Sequence, residues 1–176
     1  HDVYLGSGLG VSGQLTFTDG YINSDATNKL TIRSGGTISG ADDDSHVIGA
    51  MDYVIAGTSE TTLPVGDGTR YRPVYITPAS GGSTYSAEYI NGAYNPTTCT
   101  GNMNHVAPGI YWDIDNNGGA NATIGLSWNS TIAVNVPSDM LLAHWNGSAW
   151  EEITTTLSGS DGTGSAFAYL ASIPIV

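Results

Sequence analysis

Apolar residues in this chain come in short alternating runs broken by glycine, as in Gln14-Leu15-Thr16-Phe17-Thr18-Asp19-Gly20 and Thr84-Tyr85-Ser86-Ala87-Glu88-Tyr89-Ile90, and helical spacing is hard to find anywhere. Period-two alternation puts every second side chain on one face. With β-branched and aromatic residues inside the runs and Gly between them, it specifies an all-β fold. One short helical turn is expected, around Pro137-Ser138-Asp139-Met140. At 176 residues the chain can form one domain that buries roughly 70% of its unfolded surface, or two small units sharing an interface.

The first third contains an echo. Leu15-Thr16-Phe17-Thr18-Asp19-Gly20-Tyr21-Ile22 returns as Leu30-Thr31-Ile32-Arg33-Ser34-Gly35-Gly36-Thr37-Ile38. A repeat of about fifteen residues, with two short strands per turn, predicts a short β-solenoid (β-roll) over residues 1–60. So short a stub needs a cap, and residues 61–176 are expected to supply it as an antiparallel β-sandwich continuous with the solenoid. Its strands are expected at Tyr71 to Thr77, Thr84 to Ile90, Gly109 to Ile114, Ala122 to Trp128, Thr131 to Val136, Leu141 to Trp145, Trp150 to Thr156 and Ser165 to Ala171. Asn117-Gly118-Gly119 and Asn146-Gly147 read as hairpin turns, since Asn and Gly tolerate positive φ. The end of the sequence, Phe167 to Val176, is apolar to its last residue and reads as a buried strand or a strand given to a partner.

Charged residues are only 11% of the chain, yet its net charge is −12. That balance argues against nucleic acid, whose phosphates would repel it, and against an anionic membrane face. No apolar run approaches the ~20 residues of a membrane span, so no membrane insertion is expected. An aqueous extracellular setting, with divalent cations available, fits better. Cys99 is the only cysteine, so an intrachain disulfide is impossible, and burial as a small hydrophobe is its expected fate. His1 fits either the residue left by signal-peptide cleavage or the remnant of a purification tag.

The stretch Ser45 to Ile76 joins a Val47-Ile48-Gly49 strand, a Leu63-Pro64-Val65-Gly66-Asp67-Gly68 turn and then Tyr71-Arg72-Pro73-Val74. It resembles a Gly/Thr-rich β-module of secreted cell-surface proteins of Bacteroidetes, often exported by type IX secretion. The turns Leu15 to Gly20 and Leu30 to Gly35, and the hairpin Ala143-His144-Trp145-Asn146-Gly147-Ser148-Ala149-Trp150, are similar to further parts of that family. The resemblance implies an extracellular, cell-surface location and a β-rich fold, and carries no single activity with it.

Candidate sites each have a plainer reading beside them. Asp113-Ile114-Asp115-Asn116-Asn117-Gly118 matches the first half of an acidic calcium loop, making Asp113, Asp115 and Asn117 candidate ligands; Ile124 stands where the bidentate Glu belongs. The plainer reading has Trp112 and Ile114 pointing inward from a strand, Asp113 and Asp115 outward, and Asn117-Gly118 turning. Asp42-Asp43-Asp44 with His46 reads as solvated loop carboxylates before it reads as a cation bridge. Arg70 or Arg72 is expected to pair with Asp67 or Glu88 and hold the two halves together.

His1, His46, His105 and His144 show no zinc spacing, and no G-x-S-x-G elbow occurs. Glu60, Glu88, Glu151 and Glu152 are the only glutamates, and nothing in their placement recommends a glycosidase pair. Trp145 and Trp150 flank a turn and could form a sugar-stacking platform, with Tyr85, Tyr89 and Tyr94 on a shared face; cross-strand aromatic packing is the competing reading. Three N-x-S/T sequons, at Asn121, Asn129 and Asn146, are mostly coincidence on the bacterial reading that the resemblance implies. Lys29, the sole lysine, is the only residue at which a Lys–Asn isopeptide could form, and such a bond is not expected.

The expected function is therefore non-enzymatic: a secreted structural subunit of a cell-surface assembly, filament or adhesin-like. Its partners are copies of itself, joined by strand exchange through Val3, Tyr4 and Leu5 at one end or Phe167, Tyr169, Leu170, Ile173 and Ile175 at the other. The alternative is a carbohydrate-binding or adhesion module that meets surface glycans through Trp145 and Trp150. Calcium is the one cofactor considered.

Overall fold

The computed structural model describes residues 1–94, 98–101, 103, 106, 109–129, 141–160 and 163–170, with backbone alone for 129, 159, 160 and 163–170. The described residues are all-β, in eighteen strands and no helix. They are β1 (Val3–Tyr4), β2 (Leu9–Val11), β3 (Gln14–Thr16), β4 (Ile22–Asn23), β5 (Leu30–Ile32), β6 (Thr37–Ser39), β7 (Val47–Ile48), β8 (Met51–Ile55), β9 (Thr61–Leu63) and β10 (Val65–Gly66). After these come β11 (Val74–Pro78), β12 (Ser83–Ile90), β13 (Tyr111–Asn116), β14 (Ala122–Asn129), β15 (Leu142–Trp145), β16 (Trp150–Ile153), β17 (Thr156–Ser160) and β18 (Thr163–Leu170). The strand expected at Thr131 to Val136, the turn at Pro137 to Met140 and His105 lie outside the described residues.

Strands β1 to β8, with β10, wind as a solenoid of parallel stacked coils. One face is β1-β4-β7-β10, a second begins β2-β5-β8, and a third is β3-β6. Each full coil therefore has three strands, not two, and its length differs from the expected fifteen residues. Val3 stacks on Ile22, 19 residues on, and Ile22 on Val47, 25 on; Leu9 stacks on Leu30 and Leu30 on Met51, each 21 on. The echo misled because it aligned Leu15 with Leu30, whereas Leu15 stacks on Ile38. Short β-runs look alike on every face of a coil, so similarity between runs does not give the stacking register.

Corners between faces are tight. Gly40 (φ 79°) and Gly49 (φ 91°) sit where a Cβ would strike the carbonyl oxygens of Phe17 and Ser24 in the coil beneath, and only Gly accepts both the positive φ and the contact. At another corner Asp25 Oδ1 accepts from the backbone N–H of Thr27 and Asn28, both at 2.7 Å, closing an Asx turn ahead of β5.

No seam separates residues 1–60 from 61–176. The second solenoid face continues into antiparallel pairing as β13-β12-β8-β5-β2, so β8 is parallel to β5 on one side and antiparallel to β12 on the other. β9 leaves the coil to edge the antiparallel sheet β17-β18-β14-β11-β9. Inward residues of both five-stranded sheets share one core with the coils, from Phe17, Leu30, Ile32 and Met51 through Ile55, Leu63 and Tyr85 to Ile76, Ile114 and Ile124. Alternation is clear in the strands that face it, as in the buried Met51, Tyr53 and Ile55 of β8.

Among the described residues, the strands from β11 onward follow the expected ones within a few residues, with β17 in addition. Of the two expected hairpin turns, Asn146-Gly147 joins β15 to β16, with Asn146 N–H donating to Ala149 O at 3.1 Å. Asn117-Gly118-Gly119 instead carries the chain from β13 in one sheet to β14 in the other. The φ of 90° at Gly118 serves that corner, since positive φ does not specify which strands a turn connects.

Candidate functional site

The outward face of β13-β12-β8-β5-β2 gathers most of the polar chemistry near the solenoid–sandwich junction. Register places Asp115 opposite Ser86, Ser86 opposite Asp52 and Asp52 opposite Thr31, with Asp113 opposite Glu88 in the neighbouring row. Lys29, just before β5, reaches across: its Nζ lies 3.1 Å from Asp52 Oδ1 and donates to Ser86 Oγ at 3.3 Å. Ser86 Oγ in turn donates to Asp52 Oδ1 at 2.6 Å and accepts from Asn117 Nδ2 at 2.6 Å. Burial holds the Glu88 carboxyl above its usual range, with Asp113 adding to the rise and Lys29 opposing it. Asp113 is raised likewise, by burial first and then by Asp115. Two like charges directly opposite one another on half-buried strands disfavour each other's ionised form.

A second constellation clamps the last coil. His46 is fully buried, and the backbone N–H of Gly68 points at its Nε2 from 3.2 Å. That nitrogen must accept, so Nδ1 carries the proton and donates to Asp42 O at 2.8 Å, which fixes a neutral tautomer. Tyr21 and Tyr71 flank the ring at 4.8 and 6.0 Å. Asp43 Oδ1 accepts the backbone N–H of Tyr71 at 2.7 Å, tying the 66–71 turn to the coil. Burial, helped by Tyr75 and Asp42, pushes the Tyr71 phenol up to about 12. The acidic run is therefore anchoring rather than simply solvated: Asp42 Oδ1 accepts from Asp44 N–H and Ser45 Oγ, both at 3.0 Å.

Arg70 pairs with Asp67 at 3.5 Å, but the contact is local to one turn. Asp67 reaches the sandwich by another route, accepting from Asn91 Nδ2 at 2.8 Å. Arg72 is buried, and its carbonyl accepts from Trp112 Nε1 at 3.1 Å.

The candidate calcium segment is a strand. β13 runs through Asp113 and Asp115 to Asn116, which sets their backbones about 6.7 Å apart along one face with no loop to wrap an ion, and the Asn117 amide donates to Ser86. Among the described residues no three His, Cys, Asp or Glu side chains converge as metal ligands.

Of the two readings of Trp145 and Trp150, the structure has the cross-strand packing and not the sugar platform. Trp145 and Trp150 are paired across β15–β16 but only 9% and 5% exposed, and Tyr94 packs on both, at 5.1 and 5.2 Å between ring centroids. Their faces are spent on each other and on Tyr94, which also meets Tyr111 at 5.1 Å. Tyr85 and Tyr89 are buried in the core. On the same hairpin His144 Nδ1 lies 3.1 Å from Glu151 Oε1; hydrogen bonds from His144 and Asn146 hold that carboxyl below its usual range. Cys99 is half-buried beside Trp150, less covered than expected.

The proposed assembly residues separate into two groups. Val3 and Tyr4 lie in β1, an edge strand, and are 51% and 75% exposed, while Leu5 turns partly into the core. β2 and β3 are edge strands too, so the whole outer rim of the first coil carries unpaired backbone in the chain as described. Phe167, Tyr169 and Leu170 lie in β18, which runs between β14 and β17 of its own sheet. Ile173 and Ile175 lie outside the described residues.

Sequence reasoning missed the Lys29–Asp52–Ser86–Asn117 network and the His46 clamp. The lone lysine was a signal for the first; its partners became visible only through the β5–β8–β12 register. Compared with protein-family models, curated proteins and solved structures, the chain matches none of them significantly.

Proposed function

We propose that this chain is a non-enzymatic structural subunit of an extracellular, cell-surface assembly, in which copies add β-structure to one another through a terminal segment. The observation that carries this reading is the rim of the first coil. Three edge strands end there together, with Val3, Tyr4 and Leu9 exposed, while the equivalent positions one and two coils further in are half-buried (Ile22, Asn23, Ile48) or buried (Val47, Leu30, Met51). Edge strands of this kind gain main-chain hydrogen bonds when another strand is added. The acidic, lysine-poor composition and the resemblance to secreted surface modules support the location. Since β18 is held on both sides in its own sheet, the first coil and the residues beyond Leu170 are the terminal segments on which exchange rests.

Electron microscopy with size-exclusion chromatography tests this on the purified chain. Regular polymers that disappear in Tyr4→Lys while thermal unfolding stays unchanged are the expected result. A wild-type chain that remains monomeric at high concentration, or polymers indifferent to charge at Val3 and Tyr4 and to removal of residues 171–176, would overturn it. Burial of Trp145 and Trp150 leaves the carbohydrate-binding alternative without its platform.

A further inference from the structure

Lys29 is the only lysine of 176 residues, and it stands in contact with a carboxylate on the adjacent coil. The Lys29 and Asp52 side chains are 26% and 21% exposed, with Nζ 3.1 Å from Oδ1. Ser86 Oγ, 5% exposed as a residue, donates to that same Oδ1 at 2.6 Å and accepts from Nζ at 3.3 Å, so it touches both partners. Asn117 Nδ2 holds the Ser86 oxygen from the far side at 2.6 Å. Glu88 lies on the same face two residues along β12, and it and Lys29 each stand one residue beyond Ala87 and Leu30, the partners of Met51, so the two share a row across β8.

An ordinary surface ion pair is hydrated, mobile and has no proton carrier beside it. This one is three-quarters covered and fixed by a strand register on each side. Amide formation in bulk water is limited by bringing amine and carboxyl together and removing water. Reactants held in a productive orientation gain effective concentrations on the order of 10⁵ M or more.

The geometry points to an internal amide bond between Lys29 Nζ and Asp52 Cγ, formed by the folded chain itself with Glu88 as the proton carrier. The balance closes without any reagent: one ammonium and one carboxylate become one amide and one water. Nζ gives up a proton and attacks Cγ, the C–N bond forms, and the C–O bond breaks as the departing oxygen takes up protons. Glu88 relays protons and ends unchanged, and Ser86 polarises the carboxyl through the hydrogen bond it already makes. Burial and then Asp113 raise the Glu88 carboxyl, which brings it nearer the range in which a side chain can both take and give a proton. The product ties the residue before β5 to β8, the strand that joins solenoid to sandwich.

Intact-mass measurement of the folded full chain, followed by tandem mass spectrometry, tests the bond. The expected result is a mass lower by one water and a branched peptide joining residues 29 and 52. Lys29→Arg, which keeps the ion pair and the fold, is expected to show the full mass. Asp52→Asn is expected to lose ammonia in place of water, which identifies residue 52 as the carbonyl donor. Glu88→Gln is expected to slow the bond at least tenfold, with partial rescue by Glu88→Asp. A wild-type chain at full mass after prolonged incubation overturns the proposal. So does a water loss that persists in Lys29→Arg, as a succinimide at an Asp-Gly step would give, or a branch ending at Asn117.

Discussion

The first and third coils hold similar residues in the same register and treat them differently. Along one face Val3 is 51% exposed, while Val47 and Val65 above it are fully buried; along the next, Leu9 is 40% exposed, while Leu30 and Met51 are fully buried. Side-chain chemistry cannot account for the contrast, since valine is compared with valine and leucine with leucine. In a solenoid a layer is buried by its neighbours and not by its own sequence, and the outermost layer stays uncovered until something stacks on it.

The strongest way to break this comparison is to truncate matched positions. Leu30→Ala is expected to cost about 2–5 kcal/mol as a large-to-small core change, and Leu9→Ala no more than about 0.5 kcal/mol in the isolated chain. Chemical denaturation measures both, and equal costs would show that the first coil is already packed. If assembly covers the rim, Leu9→Ala should become costly in polymers and remain cheap in monomers.

Next in size is the clamp on the last coil. His46→Ala strands the Gly68 N–H and removes the ring's bond to Asp42 O, an expected loss of about 1–3 kcal/mol in unfolding free energy. Amide exchange should then speed up at residues 66–71 and stay unchanged in the first coil, which sharpens the contrast between a closed end and an open one.

The smallest expected effect concerns charge on the junction face. Glu88 and Asp113 have raised folded-state values, so the folded chain holds their protons more tightly than the unfolded chain does. Their ionisation therefore weighs against stability at neutral pH. That penalty is relieved as pH falls through the raised values toward the ordinary 4.5 and 3.8. Glu88→Gln should stabilise the neutral-pH protein by roughly 0.2–0.5 kcal/mol and flatten this part of the pH profile, measured by denaturation midpoints from pH 7 to pH 4. Asp25 works in the opposite direction. The N–H groups of Asn28 and Thr27 lower its value, so its contribution is present above the ordinary 3.8 and lost as pH falls through the lowered value.

Fold class was legible because alternation and glycine punctuation are local signals, and the strand positions from Val74 onward followed from them. The coil length was not, because stacking register is set by which layer covers which, and Leu15 resembles Leu30 as well as it resembles Ile38. Trp145 and Trp150 were read correctly as a cross-hairpin pair, but their burial depended on Tyr94, some fifty residues away. Asp113 and Asp115 looked like loop ligands because half a calcium motif and an outward strand face share the same alternation. Spacing alone cannot say whether a backbone curls around an ion or runs straight.

The sheet that changes from parallel to antiparallel pairing at β8 also determines how the molecule would carry tension. Inter-strand hydrogen bonds run across the strands, so a pull along the solenoid axis loads the layers in series and the thinnest ladder yields first. The ladders between coils are only two or three residues long, as in β1–β4, β4–β7 and β2–β5, whereas β8 meets β12 over five residues. Under load the coils would therefore part from one another while the sandwich still holds.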